Sequence, residues 1–82
     1  MEGIKYTKNI TNKLKSMGFE FCYEQEKHDE VEYEVWVKGV LEVTVGHTEK
    51  IVYVAIIMED TVDLPINTLY ELQSLDRLIN KK

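Results

Sequence analysis

Three glutamates on two consecutive predicted strands are the residues best placed for chemistry. Glu32 and Glu34 alternate along one strand, and Glu42 lies on the next. Facing antiparallel strands would bring these carboxylates near one another, and a pair of carboxylates can act as general acid and base. That role needs an apolar pocket that raises the pKa of one carboxyl group, and the surrounding sequence predicts no such pocket. We therefore expect no enzymatic activity.

The remaining reactive side chains lack the spacing that catalysis or metal binding requires. The single cysteine, Cys22, has no adjacent base that would activate its thiol. His28 and His47 stand apart in two predicted turns, and one cysteine with two distant histidines is not a zinc signature. The acidic loop at 59–63 lacks the spacing and the glycine of an EF-hand. The sequence predicts no metal and no cofactor.

Length and composition indicate one globular domain over residues 1–82. The 82 residues include 10 basic and 15 acidic side chains, a formal charge of −5, and 44% of them are hydrophobic. Such a chain is too short for two hydrophobic cores. It shows no apolar segment of a signal peptide near its start, and its longest apolar run, 51–58, is too short to span a membrane. We predict a cytoplasmic protein whose acidity disfavours direct contact with nucleic acid or membranes.

Hydrophobic periodicity predicts two helices that enclose four strands. Apolar residues at helical spacing indicate a first helix near 4–17, and Gly18 suits a left-handed helix end. Strict alternation then indicates strands near 19–24, 31–38, 41–45 and 50–58. The capping-box spacing of Thr68 and Glu71 predicts a second helix over 67–80. The predicted fold class is α+β, in the order α-β-β-β-β-α, with a four-stranded antiparallel meander and both helices packed on one face.

The same alternation predicts which side chains face the helices. The predicted inward set is Phe19, Phe21, Tyr23, Val31, Tyr33, Val35, Val37, Leu41, Val43 and Val45. Trp36 then points outward among glutamates, which is typical of a contact site; the alternative is a tryptophan partly covered by a loop or a subunit partner. The fourth strand is apolar on both sides, as in a strand covered twice or used as a contact edge. The pattern does not explain Asp76, which lies in the apolar stripe of the second helix.

Charge is segregated along the chain. Residues 3–18 hold four lysines and no acidic residue, whereas residues 19–64 hold twelve acidic residues against three lysines. With helices on one face, a basic helical surface would lie opposite an acidic sheet surface. Either these charges only keep a small domain soluble, or the acidic face docks on a basic partner, because such fields raise association rates and select partners.

Two short motifs, one in each predicted helix, carry a family resemblance. The first helix ends in Leu14-x-x-x-Gly18-Phe19, and the last contains Tyr70-Glu71-Leu72-Gln73 followed by Leu75. In these motifs and in its layout the chain resembles small uncharacterised proteins of Bacteroidetes-type phages and mobile elements. The resemblance implies a cytoplasmic protein encoded on a mobile element, and it transfers no active-site residue.

The sequence thus predicts a non-enzymatic protein–protein interaction module that docks or self-associates through its sheet. The predicted protein-binding residues are Trp36 as apolar anchor, with Glu32, Glu34 and Glu42 setting the charge of the partner. The expected partner is a second copy in a homodimer, since sheets with free edges pair readily. The alternative is an acidic mimic of nucleic acid that inhibits a basic DNA- or RNA-binding protein.

Overall fold

The computed structural model of the protein describes residues 3–80, which form six strands and two helices. The elements are β1 (Ile4–Lys5), α1 (Ile10–Ser16), β2 (Glu20–Lys27), β3 (Glu30–Lys38), β4 (Leu41–Gly46), β5 (Ile51–Ile57), β6 (Thr61–Leu64) and α2 (Leu69–Ile79). The predicted α+β class with an antiparallel sheet is confirmed. The sheet has two more strands than predicted, because β1 and β6 add to it.

All strand pairs are antiparallel, in the order β1-β5-β4-β3-β2 with β6 also paired to β5. Strands β2 to β5 form the predicted meander of hairpins. β1 pairs with the first residues of β5 and β6 with the last ones, so β5 lies inside the sheet along most of its length. This position explains why the sequence of β5 is apolar on both sides. β2 is left as a free edge, and all its residues are exposed.

The first helix is shorter than predicted. It begins at Ile10, whereas Ile4 lies in β1, where it is buried opposite Val52. Strand pairing of Ile4 and Lys5 with β5 therefore outweighs the local helical preference of this segment, which is weak. Within the helix Ile10 and Leu14 are buried as predicted, and Gly18 follows its end with φ +93°.

The second helix begins at the predicted N-cap, Thr68, and Glu71 reaches back to the backbone one residue before the position of the predicted capping box. The Thr68 hydroxyl accepts a hydrogen bond from the Glu71 backbone N–H at 3.1 Å, and the Glu71 carboxylate accepts one from the Asn67 N–H at 3.0 Å. Both bonds satisfy N–H groups that have no partner inside the helix. Leu72 is fully buried, with Leu69, Leu75 and Ile79 packed partly against the core.

The position of Asp76 in the apolar stripe of α2 is explained by its ion pair with Lys38. The Lys38 ammonium donates to the Asp76 carboxylate at 2.7 Å and to the Met17 carbonyl at 2.6 Å. Asn80 donates to the second oxygen of the same carboxylate at 3.0 Å. Burial alone would raise the pKa of Asp76, but the hydrogen bonds from Lys38 and Asn80 and the Lys38 charge hold it below its usual value. This cluster ties β3 to the ends of both helices.

The predicted facing of β3 is wrong by one residue. Trp36 is only 4% exposed and lies in the core with Val43 and Val54, its neighbours across the sheet. Tryptophan has the largest apolar area to bury, so it takes the centre of the helix-covered face. The polar residues on either side of it, Glu34 and Lys38, find partners at the rim of that face. β4 follows the prediction, with its three alternate aliphatic residues inward.

Candidate functional site

The face of the sheet that no described helix covers is the first candidate site. Strand registers place at its centre Tyr23, Tyr33, Val35, Val37, Glu42, Thr44, Tyr53 and Ala55, which we call the open face, and charged residues such as Glu20 and Asp63 lie around them on the same side. The helices pack on the other side, where their buried residues contact Trp36, Val43 and Val54. Seven of the eight open-face residues are aromatic, aliphatic or threonine. Tyrosine together with aliphatic residues is typical of the centre of a contact surface.

The centre of the open face is covered by its own side chains. Val35 is only 2% exposed although no described helix lies over it. Its direct cross-strand neighbours are Tyr23 on β2 and Thr44 on β4, and Thr44 in turn lies beside Tyr53. The tyrosine rings therefore shield the aliphatic centre while keeping their hydroxyl groups at the surface, and Tyr23 remains 49% exposed.

Two of these tyrosines and the Glu42 carboxylate lie on the same side of three adjacent strands, β2, β3 and β4, and we treat them as one cluster. The rings of Tyr23 and Tyr33 are packed edge to face, with centroids 6.5 Å apart and planes at 75°. Burial raises the pKa of the Tyr23 hydroxyl, and Tyr33 and the Glu42 carboxylate raise it further. The hydroxyl thus lies in a negative field, which disfavours an added negative charge and favours a cation nearby.

The second candidate is a chain of hydrogen bonds at the rim of the helix-covered face. The Trp36 indole N–H donates to one oxygen of Glu34 at 2.6 Å, and the other oxygen lies 2.9 Å from Nε2 of His47. Nδ1 of His47 lies 2.9 Å from the Tyr6 hydroxyl. The Lys50 ammonium lies 4.8 Å from the centre of the Tyr6 ring. These hydrogen bonds join β3, the β4–β5 turn and the segment before α1.

This arrangement has the carboxylate–imidazole–hydroxyl order of a proton relay. With its proton on Nε2, His47 donates to Glu34 and accepts from Tyr6. Both oxygens of Glu34 and both ring nitrogens of His47 are occupied within the chain. An open depression of about 550 Å³ lies beside it, lined by Glu30, Val31, Glu34, His47, Thr48 and Lys50. Because the carboxylate oxygens of Glu34 and the ring nitrogens of His47 are already paired, the relay suits a structural tether better than a reactive centre.

The structure separates the four residues predicted to bind protein. Trp36 and Glu34 lie together, but on the helix-covered side, and Glu42 lies on the open face. The Glu32 backbone carbonyl accepts hydrogen bonds from the N–H groups of His47 and Thr48 at a shift in the β2–β3 register. The predicted shared outward face is therefore wrong, because β3 turns its Trp36 side to the helices. Of the other three, Glu42 lies on the open face, whereas Trp36 and Glu34 do not.

The residues with other predicted roles lie apart from both candidates. Cys22 is exposed on the edge strand, at a second register shift. His28 and Asp29 have φ of +56° and +62° and form the two-residue turn between β2 and β3. His47 lies in the predicted turn, and its side chain is part of the relay. Within residues 3–80 no group of three His, Cys, Asp or Glu side chains could hold a metal ion, and no helix in that range is long and apolar enough to cross a membrane.

Sequence reasoning missed the tyrosines of the open face. Tyr23 and Tyr33 were expected in the core, because a tyrosine at an alternate position counts as apolar in a periodicity argument. The available signal was their hydroxyl group, since a tyrosine places an apolar body beside a polar tip and is enriched at contact surfaces. The chain matches no protein-family model, no curated protein and no solved structure.

Proposed function

We propose that this chain is a non-enzymatic interaction module that docks on another protein through the open face of its sheet. The observation that carries the proposal is an aromatic and aliphatic sheet face that no described helix covers. Its half-exposed Tyr23 and its nearly buried Val35 give it an apolar centre with polar tips around it. Interfaces of specific complexes have this composition, with tyrosine enriched and charge depleted at the centre.

Of the four residues that the sequence predicted to bind a protein partner, this proposal retains one. Glu42 keeps its role as the residue that selects the charge of the partner, and the tyrosines replace Trp36 as the apolar anchors. Trp36 and Glu34 stabilise β3 from the opposite side. They contribute to docking only indirectly. Because their side of β3 faces the helices, Val35 and Val37 lie on the open face.

Affinity capture with two matched arginine substitutions tests the proposal. Thr44→Arg places a bulky charge at the centre of the open face, and Gln73→Arg places the same charge on the exposed surface of α2. We expect the wild type and Gln73→Arg to retain the same captured protein and Thr44→Arg to lose it. The fluorescence of the buried Trp36 would verify that both variants fold.

The same samples distinguish a foreign partner from a second copy. Light scattering after size-exclusion chromatography would show a dimer that Thr44→Arg converts to a monomer if the chain pairs with itself. A basic nucleic-acid-binding protein among the captured proteins would favour the role of an acidic mimic. Capture that survives Thr44→Arg, or a monomer that captures nothing, would contradict docking through the open face.

A further inference from the structure

The charges around the open face are predominantly negative. Glu20 and Asp63 lie on the same side of the sheet as Glu42, because they pair with Val37 and Ala55. The lysines on this side lie at its periphery, one in β1 and one at the tip of the β2–β3 hairpin. Two copies placed face to face would bring their Glu42 carboxylates into one interface, where like charges repel. Charge complementarity therefore favours a cationic partner over a second copy.

The tyrosine pair selects among cations. An edge-to-face pair leaves a ring face available, and Tyr23 is half exposed. A cation placed over a tyrosine ring is attracted by its electron density. A guanidinium group is planar, so it stacks on the ring and can also donate parallel hydrogen bonds to a carboxylate, which a lysine ammonium does not do. Ring and carboxylate together fit arginine best.

We propose that the cluster of Tyr23, Tyr33 and Glu42 binds an arginine side chain of a partner protein. This inference rests on the proposed function, because it names the chemistry of the partner that docks on the open face. The arginine stacks on the Tyr23 ring and directs its guanidinium toward the Glu42 carboxylate. Val35 and Val37 beneath it provide an apolar floor that limits the access of water.

Three peptides of equal length test the choice of side chain. Acetyl-(Gly-Arg)₃-amide would be titrated against the lysine peptide of equal charge and the neutral citrulline peptide, with ¹³C-labelled tyrosine rings observed by NMR. We expect the arginine peptide to shift the Tyr23 and Tyr33 signals and to bind about two- to fivefold more tightly than the lysine peptide, because both cations are attracted to the ring but only the guanidinium stacks on it and donates paired hydrogen bonds to Glu42. The citrulline peptide should leave these signals unchanged.

Two variants and one control locate the site. Tyr23→Leu keeps an apolar cover over Val35 and should abolish the preference for arginine over lysine. Glu42→Gln is nearly isosteric, so it still tests the site if Tyr23→Leu disturbs the sheet. It should weaken binding of the arginine peptide severalfold. Glu59→Gln makes the same charge change in the exposed β5–β6 connection and should have little effect.

Equal binding of the arginine and lysine peptides would overturn the inference, as would shifts confined to Tyr70 on α2. An equal loss of affinity in Glu42→Gln and Glu59→Gln would also overturn it, since binding would then follow net charge alone. If the arginine peptide fails while Thr44→Arg still abolishes capture, only the arginine site falls. If both fail, docking through the open face falls with it.

Discussion

Replacing Glu34 with alanine tests the inward orientation of β3. The carboxylate of Glu34 accepts the hydrogen bond of the Trp36 indole N–H, and Trp36 is buried. Removing it leaves a buried donor without a partner, which costs about 1–3 kcal/mol. The partly exposed bond to His47 adds about 0.2–1 kcal/mol after solvent screening. The expected loss of about 1–4 kcal/mol is a large part of the roughly 4–12 kcal/mol that a domain of this size has in total.

Urea unfolding followed by fluorescence measures this loss, because Trp36 is the only tryptophan in the chain. Glu34→Gln retains an acceptor for the indole and should lose no more than about 1 kcal/mol. Glu24→Ala is the matched control, since Glu24 lies directly opposite Glu34 on β2 and is exposed. Its effect should stay within about 0.5 kcal/mol. A Glu34→Ala midpoint equal to that of Glu24→Ala would refute the inward placement of this side of β3.

Three further predictions concern the helix, the ion pair and the hairpin. Leu72→Ala should cost about 2–5 kcal/mol in urea unfolding because Leu72 is fully buried, whereas Leu78→Ala, on the exposed side of α2, should cost less than about 0.5 kcal/mol. Because the pKa of Asp76 is lowered on folding, its stabilising effect is present above its ordinary value of 3.8 and is lost as the pH falls through the lower folded value. Asp76→Asn should therefore flatten the acid limb of a plot of stability against pH, and an unchanged limb would contradict the ion pair with Lys38. Asp29→Gly should stabilise the domain by about 0.5–1 kcal/mol and so raise its melting temperature, because relief of the positive φ, about 1–2 kcal/mol, exceeds the extra entropy that glycine loses on folding, about 0.5–1 kcal/mol; a lower melting temperature would show that the Asp29 side chain stabilises the turn.

The sequence was most informative where alternation and local chemistry agree. β4 has aliphatic residues at every second position and polar residues between them, so only one facing buries the aliphatic set. The capping box of α2 is a local motif, and its two hydrogen bonds depend on no distant residue. Both were predicted correctly for that reason.

β3 was less predictable because both of its faces carry apolar residues. Counting apolar positions favoured the side with Val35 and Val37 as the core, but the other side carries Trp36, whose size outweighs the count. The polar neighbours of Trp36 are tolerated there because distant residues, His47 and Asp76, bind them at the rim. No periodicity can report partners that lie far away in sequence.

Both β1 and the facing of the tyrosines depend on pairing with other strands, which no local sequence pattern reports. β1 has two residues, and only its pairing with β5 makes it a strand. Tyr33 lies on the open face because Trp36 occupies the other side of β3, and Tyr23 lies there because the β2–β3 register shifts by one residue between Phe21 and Tyr23. The facing of β3 and the register shift in β2 together displaced the candidate site from Trp36 and its glutamates to the tyrosines and Glu42.

Hydroxyl-radical footprinting of the tyrosines, with and without the captured partner, tests the central claim most directly. The chain contains its own control, because Tyr70 is 74% exposed on α2, on the other side of the molecule from the open face. Docking through the open face predicts that Tyr23 and Tyr53 are oxidised less in the complex while Tyr70 reacts as before. Protection of Tyr70 with unchanged oxidation of Tyr23 and Tyr53 would contradict the account.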